Sequence, residues 1–545
     1  VKPGYITKSK NGDYLLIKSI WKDGSYENLI ILGCYYKDGY SVAKRDEVIV
    51  KATEFIKENY PNYTITREAY EIYEKAKQRA KNSIKIMKVK KMRNINIDTK
   101  LKLNLYPFQN VGVAFIELTD GNCLLCDQMG LGKTCQAISF AERRGCRTLV
   151  ICPASLKLVW KDEIKKFTGK DAHVISTKDC IEPTYQYTII NYDIVEKKMQ
   201  EIDEHRWDLL ICDEAHFLKN MKAKRTETVH LLKDKFKHKI LLTGTPILNK
   251  PVELYSLLNI VHPGEWGSFM WYAKRYCNAT KGYWGWDFSG SSNEEELREK
   301  LEPLMLRRLK EDVLDDLPDK IYQEVRLEMS DSVKIKYNRI LEDLRSYLIK
   351  YKGYSDKKAD KAVRAEAFVK INELRQLVIK DKISALDNII EGLNEDKIVV
   401  FSDYVTPLER LHETYPRSSV ILFGGQSLEE RKEAIQKFQT DDKVKIFLGS
   451  IKAAGVGITL TSANKVLFLS LPWVPGEMDQ AIDRCHRIGQ KDTVNVYSLL
   501  CGEIDEYMNE ILNTKRDVIN KIVGGTKVDP TGNVIDALIS RIIRK

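Results

Sequence analysis

The stretch NCLLCDQMGLGKTCQAISFAERR, residues 122–144, decides how the rest of the chain is read. Its first five residues are a short apolar run, as a buried strand requires, and its last ten have the spacing of an amphipathic helix. Between them lies a glycine-bearing loop that ends in GKT. In such a loop the glycines let backbone N–H groups approach phosphate oxygens at a helix N-terminus. Lys133 would place a positive charge beside the β- and γ-phosphates of ATP, and the Thr134 hydroxyl would reach Mg²⁺. Asp127, Gln128, Met129, Gly130, Leu131, Gly132, Lys133 and Thr134 are therefore the first candidate ATP contacts, although Asp127 stands where the common pattern has its first glycine.

Further strand patterns follow on the C-terminal side. TLVIC, TIINY, DLLIC and KILLT alternate with helical segments up to about residue 250, the rhythm of a parallel sheet wrapped by helices. KIVVF, SVILF, VKIFL, KVLFL and VNVYSLL repeat it between about 397 and 500, so two α/β lobes are expected. The predicted boundaries are an accessory α+β domain over 1–100, a first RecA-like lobe over 101–293, and a helical connector over 294–395. A second lobe over 396–515 and a helical tail over 516–545 complete the chain.

Two further segments carry chemistry. Asp213-Glu214-Ala215-His216 follows the strand DLLIC, where carboxylates can face phosphates bound at a neighbouring strand end. Asp213 would hold Mg²⁺, and Glu214 would orient and deprotonate the attacking water. QAIDRCHRIGQ, residues 480–490, sets Arg484 and Arg487 one helical turn apart, so that both guanidinium groups can point into one cleft. An arginine contributed by a second lobe would make hydrolysis depend on lobe closure.

Composition sets the frame without choosing a function. Lys and Arg number 88 against 77 Asp and Glu, a net charge of +11 that suits a polyanionic partner and equally suits a solvated surface. The 11 cysteines are scattered, and the one CxxC pair, Cys123 and Cys126, lies in an apolar strand with no second pair, so core packing is expected in place of a zinc site. No apolar run has membrane-spanning length and the N-terminus lacks the form of a signal peptide. An intracellular monomer is expected, cytoplasmic in a bacterium or virus and nuclear in a eukaryote. The first residue, Val1, fits a trimmed chain or an unusual start.

Taken in order, the segments resemble the motifs of helicase superfamily two in their Swi/Snf-type form, over roughly residues 101–515. LYPFQ, ending at Gln109, resembles the adenine-reading element. CPASLKLVWKDEIKKF, 152–167, and NYD, 191–193, resemble DNA-tracking motifs, and LLTGTPILN, 241–249, resembles the motif that couples ATP state to the DNA path, with Leu248 in place of the usual Gln. ELYSLLNIVHPGEWGSF and LMLRRLKEDVLDDLP are similar to family-specific segments between the lobes. GSIKAAGVGITLTSAN, 449–464, and RCHRIGQ match the fifth and sixth motifs, whereas the usual DPWWNP is altered to SLPWVP at 470–475. GWDFSGSSNEEEL, 285–297, preceded by Tyr283 and Trp284, is similar to the HepA-related annealing-helicase branch.

The resemblance implies a translocase on double-stranded DNA that remodels or anneals branched or forked DNA. It adds Gln109 and Gly457 to the ATP contacts, Ser155, Lys157, Ser402 and Ser450 as grips on the phosphate backbone, and Thr243 and Gln480 as coupling residues. Strand separation, nucleosome remodelling and a catalytically silent scaffold are the alternatives. The aromatic segment at 283–288 reads as a hairpin packed on the connector, with stacking on an unpaired base as the other reading. The basic run Lys81–Arg93 reads as a solvated helical face.

Overall fold

A computed structural model describes residues 4–544 except 10–14, 20–24, 38–39, 44–45, 245–250, 283–284, 289, 315, 351–356, 392–395, 455–457 and 524–533. Two parallel sheets dominate it, and each strand run quoted above falls in one of them. The first sheet has seven strands, in the order Met305–Leu306, Asn122–Leu125, His238–Leu242, Leu209–Cys212, Thr148–Cys152, Tyr187–Asn191, Ala172–Val174. The second has six, in the order Lys320–Arg326, Val494–Leu500, Lys465–Phe468, Ile398–Ser402, Ile446–Ser450, Ser419–Leu422. The central strands are buried along their whole length, as expected for sheets covered by helices on both faces. The fold is thus α/β, with two RecA-like lobes.

A mixed five-stranded sheet forms the small N-terminal α+β unit. The segment from Asp46 to Lys91 holds two helices, Asp46–Asn59 and Arg67–Lys90, separated by Pro61 and the short strand Thr64–Ile65. Thr66 caps the second helix by accepting from the Ala69 N–H. Lys90 at its end donates to the carbonyls of Glu302 and Met305, which ties this unit to the first lobe.

The segment 294–395 is not helical throughout. Met305–Leu306 extends the first sheet and Lys320–Arg326 extends the second, both in parallel register. Neither strand carries a long apolar run, because each lies at a sheet edge, and KIYQEVR is exposed or half-buried throughout. The helices Asp331–Lys350 and Lys357–Leu377 place Tyr337, Leu341, Leu344, Ile371 and Leu374 in the core of the second lobe. The tail helix Val534–Arg544 adds Leu538 and Ile542 to that same core.

Cys123 and Cys126 are fully buried, and burial pushes both thiols up to about 12, so they pack as neutral side chains. Among the described residues no helix is long and apolar enough to cross a membrane. The hairpin expected near 283 is present as Thr280–Gly282 paired with Gly285–Asp287, while Tyr283 and Trp284 lie outside the described residues.

Candidate active site

The phosphate loop joins the strand Asn122–Leu125 to the helix Lys133–Arg144. It turns through Gly130 at φ +87° and Gly132 at φ +74°, left-handed conformations that favour glycine. At Gly132 a side chain is also excluded by space, since a Cβ there would lie 2.3 Å from Gln109 Nε2. Gln109 braces this loop from behind: its Nε2 donates to the Leu131 carbonyl (3.2 Å), and its Oε1 accepts from the Tyr106 N–H (3.0 Å). Lys133 Nζ donates to the Asp127 carbonyl at 2.7 Å, while Thr134 beside it is half-buried. Gln128 and Met129 reach outward to groups described below.

Asp127 has a different environment from the one read in the sequence. Its carboxylate is fully buried and takes both arms of Arg308, Nε to Oδ1 at 3.0 Å and Nη2 to Oδ2. Arg308 also donates to the Phe108 carbonyl and to Gln136 Oε1, and lies over the Phe108 ring. The Asp127 side chain therefore anchors the loop to the strand segment at 305–308 and is turned away from any ligand on the loop. A bidentate Arg–carboxylate pair has the geometry that makes such burial tolerable.

The acid pair stands at the end of the strand Leu209–Cys212, which is separated from Asn122–Leu125 by the strand His238–Leu242. Asp213 Oδ2 accepts from Trp160 Nε1 and Oδ1 from the Glu214 N–H, both at 2.8 Å. Burial and the adjacent Glu214 push the Asp213 carboxyl up to about 6. Burial acts on Glu214 in the same sense, but His216, Lys133 and Arg484 together outweigh it and hold that carboxyl below its usual range. Glu214 sits at φ +49°, a left-handed conformation that costs a non-glycine residue roughly 1 kcal/mol or more. Its Oε2 is buried with no hydrogen bond among the described residues, facing His216 Nδ1 at 3.2 Å. Such an atom at a strained position fits a group that completes its contacts on a ligand or ion.

From the second lobe, Arg484 and Arg487 reach the same cleft. The helix Pro475–Ile482 stops before them, so the two arginines stand in the turns that follow it. They converge all the same, as both donate to the Ile458 carbonyl, at 3.5 Å and 3.1 Å. Arg484 Nη2 lies 4.0 Å from Met129 Sδ in the phosphate loop. Burial, with Arg487 alongside, presses the Arg484 guanidinium down to about 10, which leaves it charged at neutral pH.

Lys310 was missed by the sequence reading except as one letter of LMLRRLKEDV. Its backbone N–H donates to Gln128 Oε1 in the phosphate loop at 2.8 Å. Its Nζ donates to Asp483 Oδ1 at 2.8 Å and to the His486 carbonyl, on either side of Arg484. Both Lys310 and Asp483 are almost fully buried, and burial brings the Lys310 ammonium down to about 8. Trp160 was also overlooked; a buried indole N–H needs an acceptor, and Asp213 supplies it.

The other sequence-predicted residues divide. Thr243 is buried beside the phosphate loop, donating its N–H to the Leu125 carbonyl, while Gly244 packs on Met129. Residues 245–249 of that motif and Gly457 lie outside the described residues. Gln480 is half-buried on the helix Pro475–Ile482. Ser155 is half-buried, and Lys157 donates to the Ile175 carbonyl at 3.0 Å. Ser450 is nearly buried at its strand end. Ser402 is fully buried, with its hydroxyl 3.2 Å from Ser470 Oγ and accepting from the Tyr404 N–H, so it braces the interior of the lobe and does not face a backbone outside it.

The SNF2-related domain model matches residues 108–383, and the helicase conserved C-terminal domain model matches 381–489. The cattle protein named DNA annealing helicase and endonuclease ZRANB3 is 33% identical over 451 residues, covering 78% of this chain and 41% of that protein. The SWI/SNF-related matrix-associated actin-dependent regulator of chromatin subfamily A-like protein 1 of Xenopus tropicalis is 33% identical over 436 residues, covering 78% of this chain and 45% of that protein. The chain thus spans less than half the length of these relatives. A solved Sulfolobus solfataricus SWI2/SNF2 ATPase core in complex with dsDNA is 29% identical, with a TM-score of 0.39, over 79% of this chain and 95% of that one. With half of its residues inside the SNF2-related model alone, and with the phosphate loop, acid pair and arginines in one cleft, the chain belongs to the SNF2-related family of ATPases.

Proposed function

We propose that this chain is an ATP-driven translocase on double-stranded DNA that rewinds or remodels branched DNA. The observation that carries the reading is the convergence of Lys133, Asp213 and Glu214 from one lobe with Arg484 from the other, near enough for their charges to shift one another. The DNA substrate is supported by the similarity of the motor to a protein named as an annealing helicase.

In this reading Lys133 and the N–H groups of the phosphate loop bind the phosphates, and Gln109 reads the base after exchanging one of its present partners. Glu214 orients the attacking water and takes its proton, which its lowered pKa permits at neutral pH. Arg484, with Arg487 behind it, offsets charge on the transferring phosphoryl group, so turnover follows lobe closure. Thr134 and Asp213 are the residues that would hold Mg²⁺, an oxygen donor set of the kind that ion takes. When bound, the ion would neutralise phosphate charge. Lys310 is a positioning residue: by holding Gln128 on one side and Asp483 and the His486 carbonyl on the other, it fixes the arginines against the phosphate loop. Ser155, Lys157 and Ser450 remain candidate grips on DNA, and Thr243 and Gln480 candidate couplers.

The test is ATP turnover measured without DNA, with plain duplex and with a fork, alongside reannealing of a partly unwound duplex. Stimulation greatest on the fork, with ATP-dependent reannealing, is expected. Turnover indifferent to added DNA would overturn the reading. Binding should also weaken steeply with salt, because phosphate contacts release counterions.

A further inference from the structure

Outside the ATP cleft, the first lobe carries two exposed indoles on one projection. Trp271, on the helix Phe269–Tyr276, is 45% exposed, and Trp286, in the hairpin strand Gly285–Asp287, is 39% exposed. Packing on the connector, the simpler reading of this aromatic segment, would have covered them. Both rings are instead left partly in water. Trp286 lies parallel to Phe288, 8° between planes, and Trp271 meets Tyr276 edge-on. Two rings left partly in water on one projection, with cations beside them, offer a surface to a ligand.

The charge around the rings identifies that ligand. Lys274 Nζ is 5.3 Å from the Trp286 ring centre, and Lys281 is its direct cross-strand neighbour on the same hairpin face. Lys300 Nζ lies 5.6 Å from the Trp271 ring centre but is paired with Glu296 at 3.3 Å, so among the described residues the unshared charge is that of the hairpin side. Lys274 also shares a helix face with Trp271, three residues away, so rings and ammonium groups form one surface. Asp287, next to Trp286 along the strand, points to the opposite hairpin face. Aromatic rings interleaved with lysines match a strand whose bases can stack and whose phosphates need neutralising. In a duplex the bases already stack on one another and present no face to an indole. An unpaired strand does.

We propose that Trp271 and Trp286, with Lys274 and Lys281, form a seat for an unpaired DNA strand, distinct from the track on which the motor grips duplex. The inference rests on the DNA-motor reading for its biological sense, yet its test does not depend on motor activity. Anisotropy of a labelled oligothymidine would be measured with the full chain and with Trp271→Ala, Trp286→Ala and the double variant, and repeated with an abasic strand of equal length. The parent should bind oligothymidine more tightly than the abasic strand. Each single variant should weaken oligothymidine binding by about fivefold or more, the scale of one lost base stack. Abasic binding and duplex-stimulated ATP turnover should change less than twofold.

Trp286→Phe should restore most of the affinity, and Lys281→Glu, at a solvent-facing position, should weaken both strands without touching the rings. A folded double variant that binds oligothymidine like the parent overturns the seat, as does a parent that does not distinguish oligothymidine from the abasic strand. Loss of DNA-stimulated turnover in the parent would instead sink the motor reading, while the anisotropy result still stands.

Discussion

Two buried charge systems border the phosphate loop, and they are built on opposite plans. Asp127 and Arg308, both in the first lobe, satisfy each other through two parallel hydrogen bonds, and the remaining donors of Arg308 find Phe108 and Gln136. Glu214 and Arg484 come one from each lobe, and Glu214 meets nothing so well fitted. Glu214 is strained and leaves a buried oxygen with no hydrogen bond among the described residues, while Arg484 reaches a carbonyl at 3.5 Å and a thioether at 4.0 Å. A charge that serves the fold is matched inside the chain. A charge that serves a reaction is held out of water but left incompletely matched, so that a transition state can complete it.

The sharpest way to break that contrast is to remove one arginine from each system. Arg484→Ala should lower kcat by about 10³–10⁵-fold, the range for an arginine that stabilises phosphoryl transfer, with little change in melting temperature. Arg308→Ala should do the reverse, destabilising the protein by about 3–5 kcal/mol because Asp127 would keep a buried charge without its partner. Turnover and thermal melts on the two variants decide the matter. Equal losses of stability would show that the division between fold and reaction is false.

Lys310 belongs to both plans, being well matched and yet joining the two lobes. Lys310→Ala is expected to cost about tenfold to hundredfold in kcat, the scale of an active group displaced by about an ångström, with nucleotide affinity within about threefold of the parent. Lys310→Arg should recover part of the loss. A variant that loses nucleotide affinity and kcat together would place Lys310 in binding the nucleotide and not in aligning the lobes.

What the sequence made legible follows the same division. The phosphate loop, DEAH and RCHRIGQ could be read because their chemistry demands particular side chains at fixed local spacing. Likewise, the central strands could be read because they are buried on both faces and so are continuously apolar. The strands Met305–Leu306 and Lys320–Arg326 escaped because edge strands need no such run. Arg308 and Lys310 escaped because their partners, Asp127 and Asp483, lie more than 170 residues away, and no local pattern announces a pairing of that range. Ser402 was misread for the opposite reason: a serine at a strand end looks the same whether it faces solvent or the interior, and here it faces Ser470.

The smallest expected effect tests the plan from the side of stability. Asp213 has its pKa raised to about 6 in the folded chain, by burial first and by Glu214 second, against an ordinary value of 3.8. Between those two values the folded state holds a proton that the unfolded state has released, so stability falls as pH rises through this window, and the penalty is complete above pH 6. Asp213→Asn removes the buried charge and should therefore raise the melting temperature of the nucleotide-free protein above pH 6. About 1–2 kcal/mol is expected, less than the full shift of roughly 1.4 kcal/mol per unit, because the amide cannot accept from both Trp160 and the Glu214 N–H. Below about pH 4 the two melting curves should meet. The same variant should lose ATP turnover at every pH, so that stability gained and activity lost come from one carboxylate. A melting temperature that is unchanged, or that falls at neutral pH, would mean that Asp213 is as well matched as Asp127, and the contrast between the two systems would have to be withdrawn.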